Sequence, residues 1–331
     1  MRQGRESILG KASFDSPNIP HWSSTGSPLM DLMIRNGRTP RGLPGGKWVD
    51  LYGAESSGKT AVCARAGAAI QRAGGLVVWL DPEHGTFDEH LMVAGMDTTD
   101  PDKFIYSHPF SLESCCESVE YVAKEWGDAG IPILIVIDSL SSLGVAQYSM
   151  DDTSTKDATP SAAAAKKLHE WWRRGILYYM SHMPIYGIMT RHLTGSPQPI
   201  FRGGGGDHVT HGKSLHFYAW LRIKMKREAL TAGEGGPAVG SWLTATIKKS
   251  KVGPLRGEVS FPYYYDTGFD TGLEQICYLI DQKVLAKAST GRITWQDKGY
   301  YPKDLRVLYA ENANFKDQID ALVHKTFMEG L

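Results

Sequence analysis

The sequence predicts an α/β fold: a mostly parallel central sheet with helices on both faces, added antiparallel strands, and a small α+β C-terminal domain. Three observations predict it. Four short apolar runs, Trp48 to Tyr52 (WVDLY), Leu76 to Asp81 (LVVWLD), Ile133 to Asp138 (ILIVID) and Pro184 to Thr190 (PIYGIMT), alternate with helical stretches, as strands buried on both faces do. The first run ends in a glycine-rich loop followed by an Ala-rich stretch, Thr60 to Ala73, giving strand, loop, helix. From Phe217 the pattern changes to long alternating runs, FYAWLRIKMKR, WLTATIKKSKV and GEVSFPYYY, which suit antiparallel strands.

In chain order, residues 1–23 are polar with Gly, Ser and Pro and read as an arm with at most one short helix near Arg5 to Lys11. The core spans 24–268 and closes near Gly268. Two segments inside it, 147–160 and 193–212, read as mobile loops lying just beyond predicted strand ends. Residues 269–331 form the C-terminal attachment: a helix from Leu273 to Lys287, a hairpin around Thr290 to Tyr301, and a last helix from Asn314 to Met328.

Composition narrows the class. Of 331 residues, 42% are hydrophobic and 22% charged, which supports a packed core and excludes general disorder. The 36 basic and 36 acidic side chains cancel, yet Arg191 to Ser260 holds 11 Lys/Arg against 4 Asp/Glu, so one region can meet an anion. Cys63, Cys115, Cys116 and Cys277 have no metal-ligand spacing, and adjacent cysteines rarely bridge, so a reducing cytoplasm is expected. No apolar run reaches the roughly 18–20 residues of a membrane span, so no membrane association is expected.

The chemistry centres on Gly53-Ala54-Glu55-Ser56-Ser57-Gly58-Lys59-Thr60, a complete phosphate-loop pattern in its required strand–helix context. Glycines let backbone N–H groups converge on phosphate oxygens, and the helix adds its positive end. Lys59 is expected at the β- and γ-phosphates and the Thr60 hydroxyl on Mg2+. Asp138, ending an apolar strand, suits a carboxylate that holds Mg2+ through water; the alternative is a helix cap. Glu83 follows another strand and is placed to deprotonate an attacking water, the alternative being a solvated loop carboxylate. Trp171 and Trp172, on a predicted helix, point about 100° apart and read as packing rather than base stacking.

GAESSGKT, LDPEH, IVIDS, GKSLHFYAWLRIKMKR and KSKVGP, in this order and spacing, resemble the RecA family of DNA recombinases. The resemblance covers the chain from about Ser24 to the C-terminal attachment, and the compact arm and unusual loops suggest a divergent, bacteriophage-type member. It implies a RecA-type core, ATP and Mg2+ as cofactors, and Glu83 as the catalytic glutamate. Lys249 and Lys251 match paired lysines that reach a neighbour's γ-phosphate, the alternative being an exposed basic strand edge. Tyr265 matches a residue covering the adenine from the adjacent subunit, the alternative being a core aromatic. The loops at 147–160 and 193–212 correspond to the first and second DNA-binding loops. The arm at 1–23 corresponds to a polymerisation segment, with Ile8 or Phe14 as anchor, or else to a disordered tail.

Departures from the family pattern fall at the site. Where the family has a glutamine sensing the γ-phosphate, this chain has Thr190-Arg191-His192. The adenine-side aromatic is replaced, leaving His90 to stack. The second loop is longer and carries Gly203 to Gly206, so Arg191, Arg202, His208, His211, Gly212 and Lys213 are candidate DNA contacts only. The first loop has Asp151, Asp152 and Asp157 against Lys156, which leaves Met150 wedged between bases, backbone N–H groups, or a loop off the DNA. The resemblance implies a cytoplasmic, DNA-dependent ATPase that forms a helical homo-oligomeric filament on single-stranded DNA and pairs it with double-stranded DNA in strand exchange. The alternatives are an ATP-gated DNA-binding scaffold with little turnover and a ring ATPase of helicase or signalling type.

Overall fold

Short apolar runs separated by helices build one large sheet in the computed structural model, which describes residues 19–144, 183–193, 218–232, 235–254 and 257–330, with positions 166, 170, 171 and 180. β1 (Trp22–Ser23) and β2 (Leu43–Pro44) pair antiparallel on either side of α1 (Pro28–Arg35). α1 begins where the Ser27 hydroxyl accepts the Met30 N–H and Pro28 supplies a preset φ; it ends at Asn36 in the left-handed conformation. β3 (Trp48–Gly53) and α2 (Lys59–Arg72) flank the glycine-rich loop. Next come β4 (Leu76–Leu80), α3 (Asp88–Val93), β5 (Phe104–Ser107), α4 (Leu112–Trp126), β6 (Ile133–Ile137) and β7 (Ile185–His192). The long strands β8 (Leu221–Thr231), β9 (Ala238–Ser250) and β10 (Glu258–Tyr264) precede a two-residue β11 (Gly268–Phe269). α5 (Thr271–Asp281), the hairpin β12 (Ile293–Trp295) and β13 (Lys298–Tyr300), α6 (Pro302–Glu311) and α7 (Ala313–Glu329) complete the chain.

Among the described residues nine strands form one sheet in the order β11-β10-β9-β8-β3-β7-β6-β4-β5. Strands from β8 to β5 are parallel, and β9, β10 and β11 extend the sheet antiparallel. The expected α/β class with antiparallel additions is therefore what forms. Side chains alternate across it: Val77 and Trp79 of β4 join one apolar cluster while Leu76, Val78 and Leu80 join the other. The first cluster also takes in α1, α2 and Ile276, Leu279, Leu305, Phe315 and Val323 from the C-terminal helices; the second is closed by α4.

Sequence and structure differ at the C-terminal end. The first helix stops at Asp281 rather than Lys287, and α6 stands where no separate helix is expected. Its signals are local: Pro302 in the first turn and the Asp304 carboxylate accepting the Tyr301 N–H at 3.2 Å.

A buried polar knot ties three segments together. Glu274 of α5 is fully buried, accepts from the Ser27 hydroxyl at 2.5 Å and from the Leu29 N–H at 3.2 Å, and pairs with Arg65 of α2 at 2.6 Å. The Arg65 guanidinium lies over the Phe269 ring at 4.6 Å. Removing one member of a buried pair strands the other charge. Glu274→Ala is expected to cost about 3–5 kcal/mol in denaturant unfolding. Lys325→Ala, from an exposed pair with Glu329, is expected to cost under about 1 kcal/mol.

Candidate active site

β3 delivers the chain to the C-terminal edge of the parallel strands, where the loop turns before α2. Space demands two of its glycines. A Cβ at Gly53 would lie 2.5 Å from the Met225 carbonyl oxygen, and one at Gly58, whose φ is +86°, would lie 2.6 Å from Leu243. The loop is thus packed against β8 and β9. Within it Ser57 is buried, Glu55 is exposed, and Ser56 adopts a left-handed φ of 55°. Lys59 is buried, and its Nζ donates to the Ala54 carbonyl at 2.8 Å. Burial lowers its pKa, while Asp138 nearby favours the charged form.

Asp138 joins both sides of the cleft. Its Oδ2 accepts from Thr60 Oγ1 at 2.7 Å and its Oδ1 from Thr190 Oγ1 at 2.5 Å. Burial raises its pKa in spite of those hydroxyls. A buried carboxylate beside a helix-terminal hydroxyl is a hard-oxygen pair that suits Mg2+, and a cation there would relieve the cost of ionising it. Among the described residues no three His, Cys, Asp or Glu side chains converge on one point. Mg2+ in phosphate sites needs only one or two protein oxygens, the substrate supplying others. Thr60 and Asp138 would hold it.

Glu83 leaves β4 on a loop shaped by buried Asp81, which accepts from the N–H groups of Glu83 at 3.0 Å and Thr86 at 2.9 Å and from the Tyr106 hydroxyl at 2.6 Å. Glu83 itself is half-exposed. Its Oε1 accepts from Ser139 Oγ at 2.5 Å and stands 3.3 Å from His192 Nε2. Ser141 Oγ accepts the His192 N–H at 2.9 Å, so the strand ends of β6 and β7 are stitched beside the carboxylate.

A cavity of about 510 Å³ brings these groups together, with Ser56, Lys59, Thr60, Glu83, His90, Asp138, His192 and Tyr265 among its lining. One expectation needs correction. Arg191, a candidate γ-phosphate sensor and DNA contact, is fully buried and grips Asp50 on β3 through two nitrogens, pointing away from the cleft. Thr190 is spent on Asp138, which leaves His192 as the sensor candidate facing the cavity. Tyr265, a candidate for covering the adenine, is among the cavity's lining residues, where β10 folds back beside β9 and sets Tyr263 against Ser241. Met150, Arg202, His208, His211, Gly212 and Lys213 lie outside the described residues, as do residues 1–18 and the first loop.

Lys249 and Lys251 are not in the cavity. Lys249 is in register with Arg222 of β8, level with Asp50, and the Lys251 N–H donates to the Trp220 carbonyl at 2.9 Å, so both stand near the N-terminal end of β3. The Lys47 and Lys251 ammonium groups lie 4.5 and 5.6 Å from the Trp220 ring centroid. Sequence reasoning missed Lys47, Trp220, Ser139 and Arg227. Ser139 alone had a local signal, as the residue after a strand-end Asp; the others meet the site only through sheet pairing.

A glycine-rich loop between a central parallel strand and a helix, with a strand-end Asp on the helix's Thr, defines a phosphate-loop α/β protein. A family model, RecA N-terminal domain, matches residues 2–270, and the chain belongs to the RecA family. It is 28% identical over 306 residues to Protein RecA of Helicobacter hepaticus, covering 91% of this chain and 82% of that protein. It is 27% identical over 327 residues to Protein RecA of Corynebacterium efficiens, covering 97% and 79% respectively. No helix among the described residues is long and apolar enough to cross a membrane.

The raised pKa of Asp138 fixes a sign. The native state keeps this proton above the ordinary 3.8, so stability falls as pH rises from there through the raised value. Asp138→Asn is expected to melt a few degrees higher than wild type at neutral pH in nucleotide-free buffer, while losing Mg2+-dependent nucleotide binding. A lower melting temperature would show that the Thr60 and Thr190 bonds outweigh the burial of charge.

Proposed function

We propose that this protein is a DNA-dependent ATPase that assembles as a helical filament on single-stranded DNA and promotes homologous pairing and strand exchange with a duplex. The carrying observation is the placement of two sets of residues. Lys59, Thr60, Asp138 and Glu83 gather at one edge of the parallel strands, while Lys249 and Lys251 sit toward the other. Lysines so placed can meet a triphosphate only if a second copy stacks head to tail, and repeated head-to-tail contacts that do not close generate a helix.

ATP with Mg2+ supplies the phosphoryl chemistry, and the chain's residues hold and polarise it. The loop N–H groups and Lys59 bind the phosphates, and Thr60 with Asp138 holds the metal. Glu83, fixed by Ser139 and His192, orients a water and takes its proton. Lysines from the next subunit stabilise charge in the transition state, so turnover depends on assembly. Coupling to DNA has a short route. His192 beside Glu83 is followed by Leu193, whose N–H donates to the Gly53 carbonyl at 3.1 Å just where the second loop begins.

ATP hydrolysis with and without single-stranded DNA tests this reading. Strong stimulation is expected, and Glu83→Gln is expected to lower the stimulated rate by about 10²-fold or more with nucleotide binding retained. Turnover indifferent to DNA, or closed rings in electron micrographs, would favour a helicase or signalling ATPase instead.

Lys249 adds a pH signature. Burial, then its neighbours Lys251 and Arg222, lower its pKa to about 8, so the cation is lost as pH rises through about 8 instead of 10.5. At low protein concentration, where assembly of free protomers limits the rate, DNA-stimulated turnover is expected to decline over that range, and Lys249→Arg, which stays charged, is expected to shift the decline to higher pH. Identical alkaline limbs under those conditions would show that the charge of the free Lys249 does not govern assembly.

A further inference from the structure

Arg227 stands on β8 where that strand passes the phosphate loop, and its guanidinium spans two walls of the cavity. One terminal nitrogen donates to the Ser56 carbonyl at 3.3 Å and the other to the Tyr265 hydroxyl at 2.6 Å. Ser56 belongs to the phosphate loop, so its carbonyl is a fixed point from which the guanidinium reaches the Tyr265 hydroxyl. The Tyr265 hydroxyl also lies 3.2 Å from Ser241 Oγ, and Ser241 together with the Arg227 charge keeps the phenol below its usual pKa. The Tyr265 ring is 44% exposed and lines the cavity, so an aromatic surface is anchored at its tip and open toward the cleft. Such a surface suits stacking of another planar ring.

We infer that Arg227 is a positioning residue for the nucleotide: by joining Ser56 to Tyr265 it sets the spacing between the phosphate cradle and the surface against which the purine stacks. This rests on the reading of the cavity as a nucleoside triphosphate site. A planar fork can reach both acceptors at once, whereas a lysine presents a single point of charge, so Arg227→Lys is not a conservative change here. The clamp acts on the base end, so a ligand with phosphates and no base should not sense it.

Isothermal titration of the full chain without DNA, using Mg2+–ATP and Mg2+–tripolyphosphate, tests the inference. Arg227→Gln and Tyr265→Phe are each expected to weaken ATP about 5- to 20-fold, the low end of what one charge-assisted hydrogen bond contributes, because the bond acts on the base through the Tyr265 ring. Their combination is expected to be no worse than the weaker single variant, because both break one linkage. Arg227→Lys is expected to recover only part of the loss, and tripolyphosphate affinity to stay constant across the series. In turnover, Arg227→Gln is expected to raise KM more than it lowers kcat. Additive losses, an equal loss of tripolyphosphate binding, or normal ATP affinity accompanied by weaker DNA binding would overturn the assignment. A wild-type protein that takes up tripolyphosphate but gains nothing from the base would also overturn it. One that binds neither ligand would instead remove the nucleotide reading on which the inference stands.

Discussion

Strand direction is the constraint on which the rest of this molecule depends. In a parallel sheet every strand delivers its following loop to the same edge, and the phosphate loop after β3, Glu83 after β4 and Asp138 after β6 all arrive there. The antiparallel return of β9 does the opposite for Lys249 and Lys251, carrying them level with Trp48 to Asp50. In the proposed reading, one chain therefore carries the two halves of a site at separate edges, and a neighbouring copy completes it.

Asp50 keeps the strands that carry these groups in register. It is fully buried in the middle of β3 and holds Arg191 of β7 on one side and Arg222 of β8 on the other, Arg222 at 2.8 Å. With Arg191 committed to that face, the alternation of a strand turns Thr190 and His192 to the opposite face, where one meets Asp138 and the other Glu83. The same Arg222 stands beside Lys249 and contributes to its lowered pKa. A single carboxylate thus borders the cleft strand, the sensor strand and the strand pair that ends in the lysines.

Much of this was legible in the sequence because it is local. Gly53 to Thr60 carries its chemistry within eight consecutive residues, and the apolar runs around Trp79 and Ile135 announce buried strands by composition alone. Arg191 is less legible because the apolar run ends at Thr190 while the strand continues to His192, and only the continued period of two sets Arg191 against β3. Tyr265 carries no such local signal. Whether a residue after β10 serves its own cleft or a neighbour's depends on the register of β8, β9 and β10, which spacing does not encode. Arg227 finds Tyr265 only through that same pairing, and Lys47 finds Trp220 only through the pairing of β3 with β8. In the C-terminal part, Pro302 and Asp304 did encode a helix start, but a hairpin assignment just ahead of them absorbed the signal.

The division of the site between copies is best tested by mixing two disabled proteins. Lys59→Ala lacks a working phosphate loop but offers intact Lys249 and Lys251, and a Lys249→Ala/Lys251→Ala double variant has the reverse. Each alone should lack DNA-stimulated hydrolysis. Mixed in equal amounts on single-stranded DNA, random head-to-tail neighbours would rebuild complete sites at roughly a quarter of the contacts, and about that share of wild-type activity should return. A mixture as inactive as its components would contradict a site completed by the neighbouring chain.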